Sequence, residues 1–158
     1  MNKMILCTDA KHGIGKDGSI PWHSTEDFKH FKEETLNHKV LMGYKTWKSL
    51  PHKPLKDRVN IVVTSRHVSD EFINSHKDVI FIHKSHLDDF LRYNDNIIAI
   101  GGATIYESAI NYCDEIILSE IQGDYNCDTF FNVFEYNVKP FSTKQLPDGT
   151  VVTYLRKV

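Results

Sequence analysis

The sequence is poor in cysteine, contains no long apolar run and carries almost no excess of either charge. Cys7, Cys113 and Cys127 are its three cysteines; their odd number and wide separation argue against a disulfide framework. Nowhere do about 18 apolar residues run together, so no spanning helix is expected. The stretch from Met1 to Asp9 has too short an apolar core for a signal peptide. Nineteen Lys and Arg against 21 Asp and Glu leave a net charge of −2. Without a strong basic field, general nucleic-acid binding is not expected. A P-loop and a serine nucleophile elbow are both missing, which leaves P-loop kinase and hydrolase readings without support. Among nine histidines, His83 and His86 form the nearest pair, but no third or fourth ligand lies beside them, so no metal site is expected.

What is present is ordinary globular composition. The 158 residues are 41% hydrophobic, 25% charged and 11% aromatic, which suits a single soluble, cytoplasmic domain spanning residues 1–158. No repeat, low-complexity tract or linker interrupts it. Apolar runs recur at Met4–Cys7, Val40–Met42, Asn60–Val63, Val79–Ile82, Ile97–Ile100 and Ile116–Leu118. Most are continuous rather than alternating, as in strands buried on both faces of a mainly parallel sheet. Helices are expected between them: one from a capping-box-like start at Ser24 and Asp27 to about Asn37, then Tyr44–Ser49, Asp70–Ser75, Ser85–Tyr93 and Ala103–Asn111. A turn at Pro147-Asp148-Gly149 and a strand over Val151–Lys157 predict an antiparallel C-terminal hairpin at one sheet edge. The fold class is a three-layer α/β sandwich.

Gly13-Ile14-Gly15-Lys16-Asp17-Gly18 matches the dinucleotide fingerprint in letters only. That motif needs its last glycine to open a helix, whereas Gly18 leads into Ser19-Ile20-Pro21-Trp22, and proline disfavours helix at the residue before it. The stretch reads as a mobile loop. Two other glycine positions suit phosphate better: Gly43 after Val40–Met42, and Gly101-Gly102 after Ile97–Ile100. Each stands between a strand and a helix, where free N–H groups and the helix dipole favour anions. Either alone could be a tight turn; together they suggest one extended ligand held at two helix ends. Asp27 reads either as a simple helix cap or as an acid set among Phe28 and Phe31. Burial in such a pocket would raise its pKa, and a cationic or amidine-like ligand would favour its anion.

Ile14-Gly15, Pro21-Trp22, Asp27, Phe31, Met42-Gly43, Thr46-Trp47, Ser49-Leu50, Arg58, Thr64-Ser65, Ile100-Gly101-Gly102, Tyr106-Glu107 and Asp128-Thr129 together resemble the bacterial-type dihydrofolate reductases. The match spans nearly the whole chain in order. It implies an eight-stranded, mostly parallel sheet with an antiparallel C-terminal strand and four flanking helices. It also implies an oxidoreductase of one-carbon metabolism that uses NADPH to reduce 7,8-dihydrofolate to tetrahydrofolate and is a target of antifolate inhibitors, commonly as a monomer. By the same resemblance, Asp27 binds the pterin amidine edge and promotes N5 protonation, with Trp22 and Ile20 in the active-site loop above it. Ser119 stands where the family usually has Thr and keeps its hydroxyl. Carbonyls of Ile5 and Ile100 line the pterin edge. Phe28, Phe31, Leu50 and Leu55 sandwich the substrate rings, Arg58 pairs with the glutamate α-carboxylate, and Lys32 assists at the rim.

On the cofactor side the resemblance places Cys7, Ile14, Gly15, Ile20 and Tyr106 near the nicotinamide. Gly43, Tyr44, Lys45 and Thr46, with Gly101, Gly102, Ala103, Thr104 and Ile105, hold the phosphates. Lys84 lies on the adenine side. Three positions depart from the family pattern. Tyr44 and Thr104 stand where arginines are common; loss of one charged partner costs about 1.5–3 kcal/mol. Lys45, Ser65 and Arg66, next to Thr64, are expected to compensate and keep the NADPH preference. Cys127 replaces a frequent glycine in the loop that braces the active-site loop, where a side chain is expected to stiffen closure. Two other readings compete: a same-fold reductase of a riboflavin-pathway pyrimidine, and a non-catalytic pterin- or nucleotide-binding protein. Asp27, Phe31 and Arg58 favour folate, because an aminopterin with a glutamate tail uses all three.

Overall fold

The computed structural model describes all 158 residues. The strands are β1 (Lys3–Thr8), β2 (Gly13–Gly15), β3 (Lys39–Gly43), β4 (Val59–Thr64), β5 (Val79–His83), β6 (Ile97–Gly101), β7 (Glu115–Glu120), β8 (Thr129–Phe130), β9 (Val138–Gln145) and β10 (Val151–Lys157). The helices are α1 (Thr25–Thr35), α2 (Tyr44–Ser49), α3 (Asp70–Ser75), α4 (Leu87–Tyr93) and α5 (Ala103–Ala109). An eight-stranded sheet runs in the order β5-β4-β3-β6-β1-β7-β10-β9. Its pairs are parallel except those made by β10 with β7 and with β9.

Burial on both faces explains the unbroken apolar runs. Met4, Leu6, Leu41, Ile61, Ala99, Ile116 and Leu118 point to one side, under α4 and α5. On the other side Ile5, Ile98, Ile117 and Val152 pack against Phe31 of α1, and Val40, Met42 and Val62 pack around Trp47 of α2. A fully buried aliphatic side chain contributes about 1.5–3 kcal/mol, so these layers carry most of the stability.

Five α-helices flank the sheet, in the five stretches where the sequence pattern places them. Three of their bounds need correction. The first ends at Thr35 rather than Asn37: Leu36 caps it, and Asn37 turns back at φ 63°, where asparagine is tolerated. The helix expected over Ser85–Tyr93 starts as a 3-10 turn at Lys84–His86 and becomes α-helical at Leu87, because the His83 ring accepts the Ser85 N–H. The helix expected to reach Asn111 stops at Ala109. In addition, Gly13–Gly15 is not a loose loop but a strand paired antiparallel with Thr129–Phe130. No helix follows Gly18, so its dinucleotide-like lettering has no structural counterpart. No helix is long and apolar enough to cross a membrane.

Candidate active site

The sheet parts where its order reverses. β1 pairs with β6 only through Lys3 and Met4. On the other side of β6, the register with β3 steps from Ala99 to Gly101 and leaves Ile100 outside the ladder. The carboxyl ends of β1 and β6 therefore open into a crevice, the usual ligand position in α/β sheets, with Ile5 and Ile100 at its edge. The buried Tyr106 closes its floor by donating its hydroxyl to the Ile5 carbonyl at 2.8 Å. Gly101, at φ +123°, makes room for that hydroxyl: a Cβ there would stand 3.1 Å from it.

Asp27 enters from the first turn of α1. Its backbone N–H donates to Ser24 Oγ at 3.0 Å, so Ser24 performs the capping and the carboxylate is left for other work. Cys7 and Ser119 are register partners on β1 and β7 and present their side chains to it on one sheet face. Burial pushes the Asp27 carboxyl above the ordinary range, while the Ser119 hydroxyl and then the Cys7 thiol pull it partway down. The same burial, reinforced by the neighbouring carboxylate, pushes the Cys7 thiol far up, so Cys7 is a neutral wall and no nucleophile. Trp22 is buried and meets Tyr125 edge-on with ring centroids 5.5 Å apart.

The far wall comes from the segment after α2. Leu50 and Leu55 are half-buried beside Trp47 and Ile100. Asn60 staples this segment: its amide accepts from Leu55 N and donates to Leu55 O, both at 2.9 Å, and to Arg58 O at 3.1 Å. Arg58 is not a loose surface charge, since it donates to the Lys56 carbonyl at 2.9 Å and to Thr35 Oγ1 at 3.1 Å. Phe31 is half-buried against the sheet, but Phe28, Ile20 and Lys32 are exposed. These three stand at the rim.

The two glycine junctions stand side by side. Gly43 caps α2 and Gly102 caps α5, and a Cβ on Gly43 would lie 3.9 Å from both the Gly101 carbonyl oxygen and the Gly102 nitrogen. A Cβ on Gly102 would lie 3.9 Å from Thr46 Oγ1. Ala103, Thr104 and Ile105 form the first turn of α5, while Tyr44 and Lys45 begin α2 on the open surface. Because Gly43 pairs with Val63, the segment Thr64-Ser65-Arg66 leaves the sheet beside the start of α2. Thr64 Oγ1 accepts the Arg66 N–H at 3.1 Å and holds that turn. Beyond it lies a cavity of about 320 Å³ walled by Thr64, Arg66, Ile73, Phe81 and His83. His83 lines it, with Nε2 3.1 Å from the Ser65 carbonyl, and Lys84 follows His83 in the chain.

The loop carrying Ile14, Gly15 and Ile20 is tied down from the opposite side. Asp128 Oδ2 accepts from Asp17 N at 2.9 Å, and the Asp128 N–H donates to the Gly15 carbonyl at 3.0 Å. Asp9, fully buried, accepts from Gly13 N at 2.8 Å, Lys11 N at 2.9 Å and Tyr125 N at 3.0 Å. Burial alone would raise its pKa, but these N–H groups outweigh it and hold the carboxylate below the ordinary range. Cys127 Sγ completes the shell at 3.5 Å. Asp9, Asn60 and the buried His30 escaped the sequence reading. Only His30 left a signal there, falling on the helical face of Asp27, Phe31 and Glu34.

The family model described as "Dihydrofolate reductase" matches residues 1–149. The chain belongs to the dihydrofolate reductase family. The dihydrofolate reductase of Bacillus subtilis is 35% identical over 150 residues, covering 92% of this chain and 84% of that protein. "Segregation and condensation protein A" of Mycoplasmoides gallisepticum is 34% identical over 160 residues, covering 99% of this chain but 26% of that protein. This family member thus spans about a quarter of that relative's length. Among solved structures, a dihydrofolate reductase from Enterococcus faecalis complexed with NADP(H) and RAB-propyl superposes with a TM-score of 0.81 at 23% identity, covering 99% of this chain and 95% of that one. At that identity the superposition speaks for the fold.

Proposed function

We propose that this chain reduces 7,8-dihydrofolate to 5,6,7,8-tetrahydrofolate with NADPH, and that Asp27 governs the proton the reaction requires. The carrying observation is a half-buried carboxyl beside Ser119 and Cys7 at the mouth of the β1–β6 crevice, its pKa raised by desolvation.

Reduction adds a hydride to C6 of the pterin and a proton to N5. The ionised Asp27 carboxylate accepts hydrogen bonds from the pterin's amidine edge, and the Ser119 hydroxyl links acid to substrate. Held there, Asp27 raises the pterin's proton affinity at N5, which makes C6 the better hydride acceptor. Phe31, Leu50 and Leu55 clasp the rings and exclude water, while the free N–H groups of Arg58 meet the glutamate α-carboxylate.

The cofactor side fits a dinucleotide phosphate. Two helix starts converge at glycines whose absent side chains leave room for a close approach, with Thr64, Ser65 and Arg66 at the end of β4 and Lys45 in the first turn of α2. When bound, NADPH supplies the hydride. Cys7, Ile14 and Tyr106 border its nicotinamide end, and Trp22 and Ile20 cover it as the loop closes. A single domain is enough to supply every group named here, and the protein is proposed to act as a monomer. A net charge of −2 offers no basic field to nucleic acid; a cytoplasmic location is proposed with the activity, and antifolates compete at the pterin site.

The test is NADPH oxidation followed by absorbance, with and without dihydrofolate and with NADH in parallel. Dihydrofolate-dependent oxidation that favours NADPH is expected. No turnover would remove the catalytic reading, and comparable kcat/KM for the two nucleotides would remove the compensating role of Lys45, Ser65 and Arg66.

A further inference from the structure

His30 lies three residues beyond Asp27 on α1 and is 2% exposed, yet neither of its ring nitrogens has a hydrogen-bond partner. A neutral imidazole carries one donor and one acceptor. Leaving both without protein partners works against the fold in a way that an aliphatic residue at this position would not. A three-residue spacing makes Asp27 and His30 neighbours on one helical face, and the same face continues to Phe31 and Glu34. Asp27 ends the row at the crevice. Glu34 ends it over β10, one strand in from the sheet edge, where it accepts the Tyr154 hydroxyl at 2.9 Å. His30 stands between the two.

The charged surroundings of this pair come from three directions. Asp27, Glu33 and Glu34 act on His30 from its own helix, and Lys144 acts from β9, with its ammonium 6.0 Å from the centre of the Tyr154 ring. Asp148, in the turn between β9 and β10, acts on Asp27, as do Cys7 from β1 and Ser119 from β7. Tyr154 stays neutral, its hydroxyl pushed up to about 12 by burial and Glu34.

We propose that His30 is a positioning residue for the reduction, whose imidazole is coupled to Asp27 along the α1 face and keeps that carboxylate ionised as the solution is acidified. The proposal rests on Asp27 being the acid that controls the pterin proton. Burial pushes the carboxyl up and the imidazole down, so the two titrations approach one another. A proton taken up by His30 places a cation beside the carboxylate, and each charge then favours the other. In neutral solution His30 is uncharged and contributes only its dipole; its effect grows on the acid side.

Side-chain carbon NMR of His30 and Asp27 across a pH titration reads the coupling without any substrate. Asp27→Asn is expected to lower the His30 midpoint, and His30→Gln to raise the Asp27 midpoint by the same amount, because coupling is reciprocal. Opposite charges one helical turn apart produce a shift of about one unit. In His30→Gln, the midpoint that Asp27 imposes on the rate profile moves up by that interval while KM for NADPH stays unchanged. His30→Leu, which removes both orphaned nitrogens, is expected to show the same displacement with a higher melting temperature. A packing role predicts the reverse: a lower melting temperature and an unmoved profile. Identical His30 titrations in the wild type and Asp27→Asn overturn the coupling, and that comparison needs no His30 variant to fold. Wild-type rates for Asp27→Asn at neutral pH instead overturn the role in reduction, even with the coupling intact.

Discussion

Arg58 donates to the Thr35 hydroxyl at 3.1 Å, and that hydroxyl donates in turn to the Phe31 carbonyl at 2.8 Å. The guanidinium is thereby fixed to the end of the helix whose first turn carries Asp27. One rigid element sets the distance between the carboxyl proposed to meet the pterin and the guanidinium proposed to meet the glutamate tail, which is the preorganisation a two-ended ligand requires.

Replacing Arg58 with Lys keeps a positive charge but loses the planar fork. Binding of dihydrofolate is expected to weaken by about 10- to 150-fold, the equivalent of one charged hydrogen-bonded partner. NADPH affinity should stay unchanged, because Arg58 lies on the substrate wall. Steady-state KM for dihydrofolate and fluorescence titration with NADPH check the two halves.

Asp27→Asn separates catalysis from stability. At neutral pH its hydride rate is expected to fall by about 10²- to 10⁴-fold, with partial recovery as pH falls and dihydrofolate arrives already protonated; single-turnover rates across pH measure both. Stability should move the other way. The wild-type carboxyl sits above its ordinary value of 3.8, so the folded chain keeps that proton to higher pH than the unfolded chain does. Stability is therefore lost as pH rises from 3.8 through the folded value, and the deficit is fully present at neutral pH. The Asn variant should melt higher than the wild type at neutral pH, by about 1.4 kcal/mol for each unit of the shift, and no higher below both values.

Much of this was legible in the chain. Val40–Met42 and Ile116–Leu118 announced buried strands because sheet burial on both faces demands unbroken apolar runs, and the expected bounds of α2, α3 and β10 coincide with those observed. The glycines at 43 and 102 were readable as a pair serving one extended ligand, but their direct adjacency depends on β6 inserting beside β3, which is a matter of strand order. The β2–β8 ribbon was invisible for a related reason. Two of the three residues of β2 are glycines with weak strand preference, and their partner lies more than a hundred residues away. Asp9 and Asn60 went unnoticed because their roles consist of hydrogen bonds to backbone groups that the fold alone brings near.

Ser119→Ala removes the hydroxyl that most strongly opposes the rise of the Asp27 carboxyl. The carboxyl should then move further up, shifting the midpoint it imposes on kcat/KM to higher pH, with rate at neutral pH reduced by about 10-fold. Ser119→Thr, which keeps the hydroxyl, should leave the midpoint in place. Parallel pH profiles of the two variants decide whether the hydroxyl or the side-chain volume matters.

The last prediction concerns the brace of the active-site loop. A Cβ on Gly13 would fall 2.5 Å from both Cβ and Sγ of Cys127 and 2.9 Å from Asp9 Oδ1. Nothing there is the far end of a flexible side chain, so Gly13→Ala must displace either the β2–β8 pairing or the buried Asp9 cluster. Overpacking of this kind costs about 1–3 kcal/mol, and the loop that carries Ile14 and Ile20 loosens with it. Cys127→Gly empties the same space. If the clash with Cys127 is the cause, the double variant Gly13→Ala, Cys127→Gly should recover most of the loss, giving a favourable interaction energy in a double-mutant cycle. Urea unfolding measures that cycle, and additive losses would instead assign the damage to the Asp9 contact.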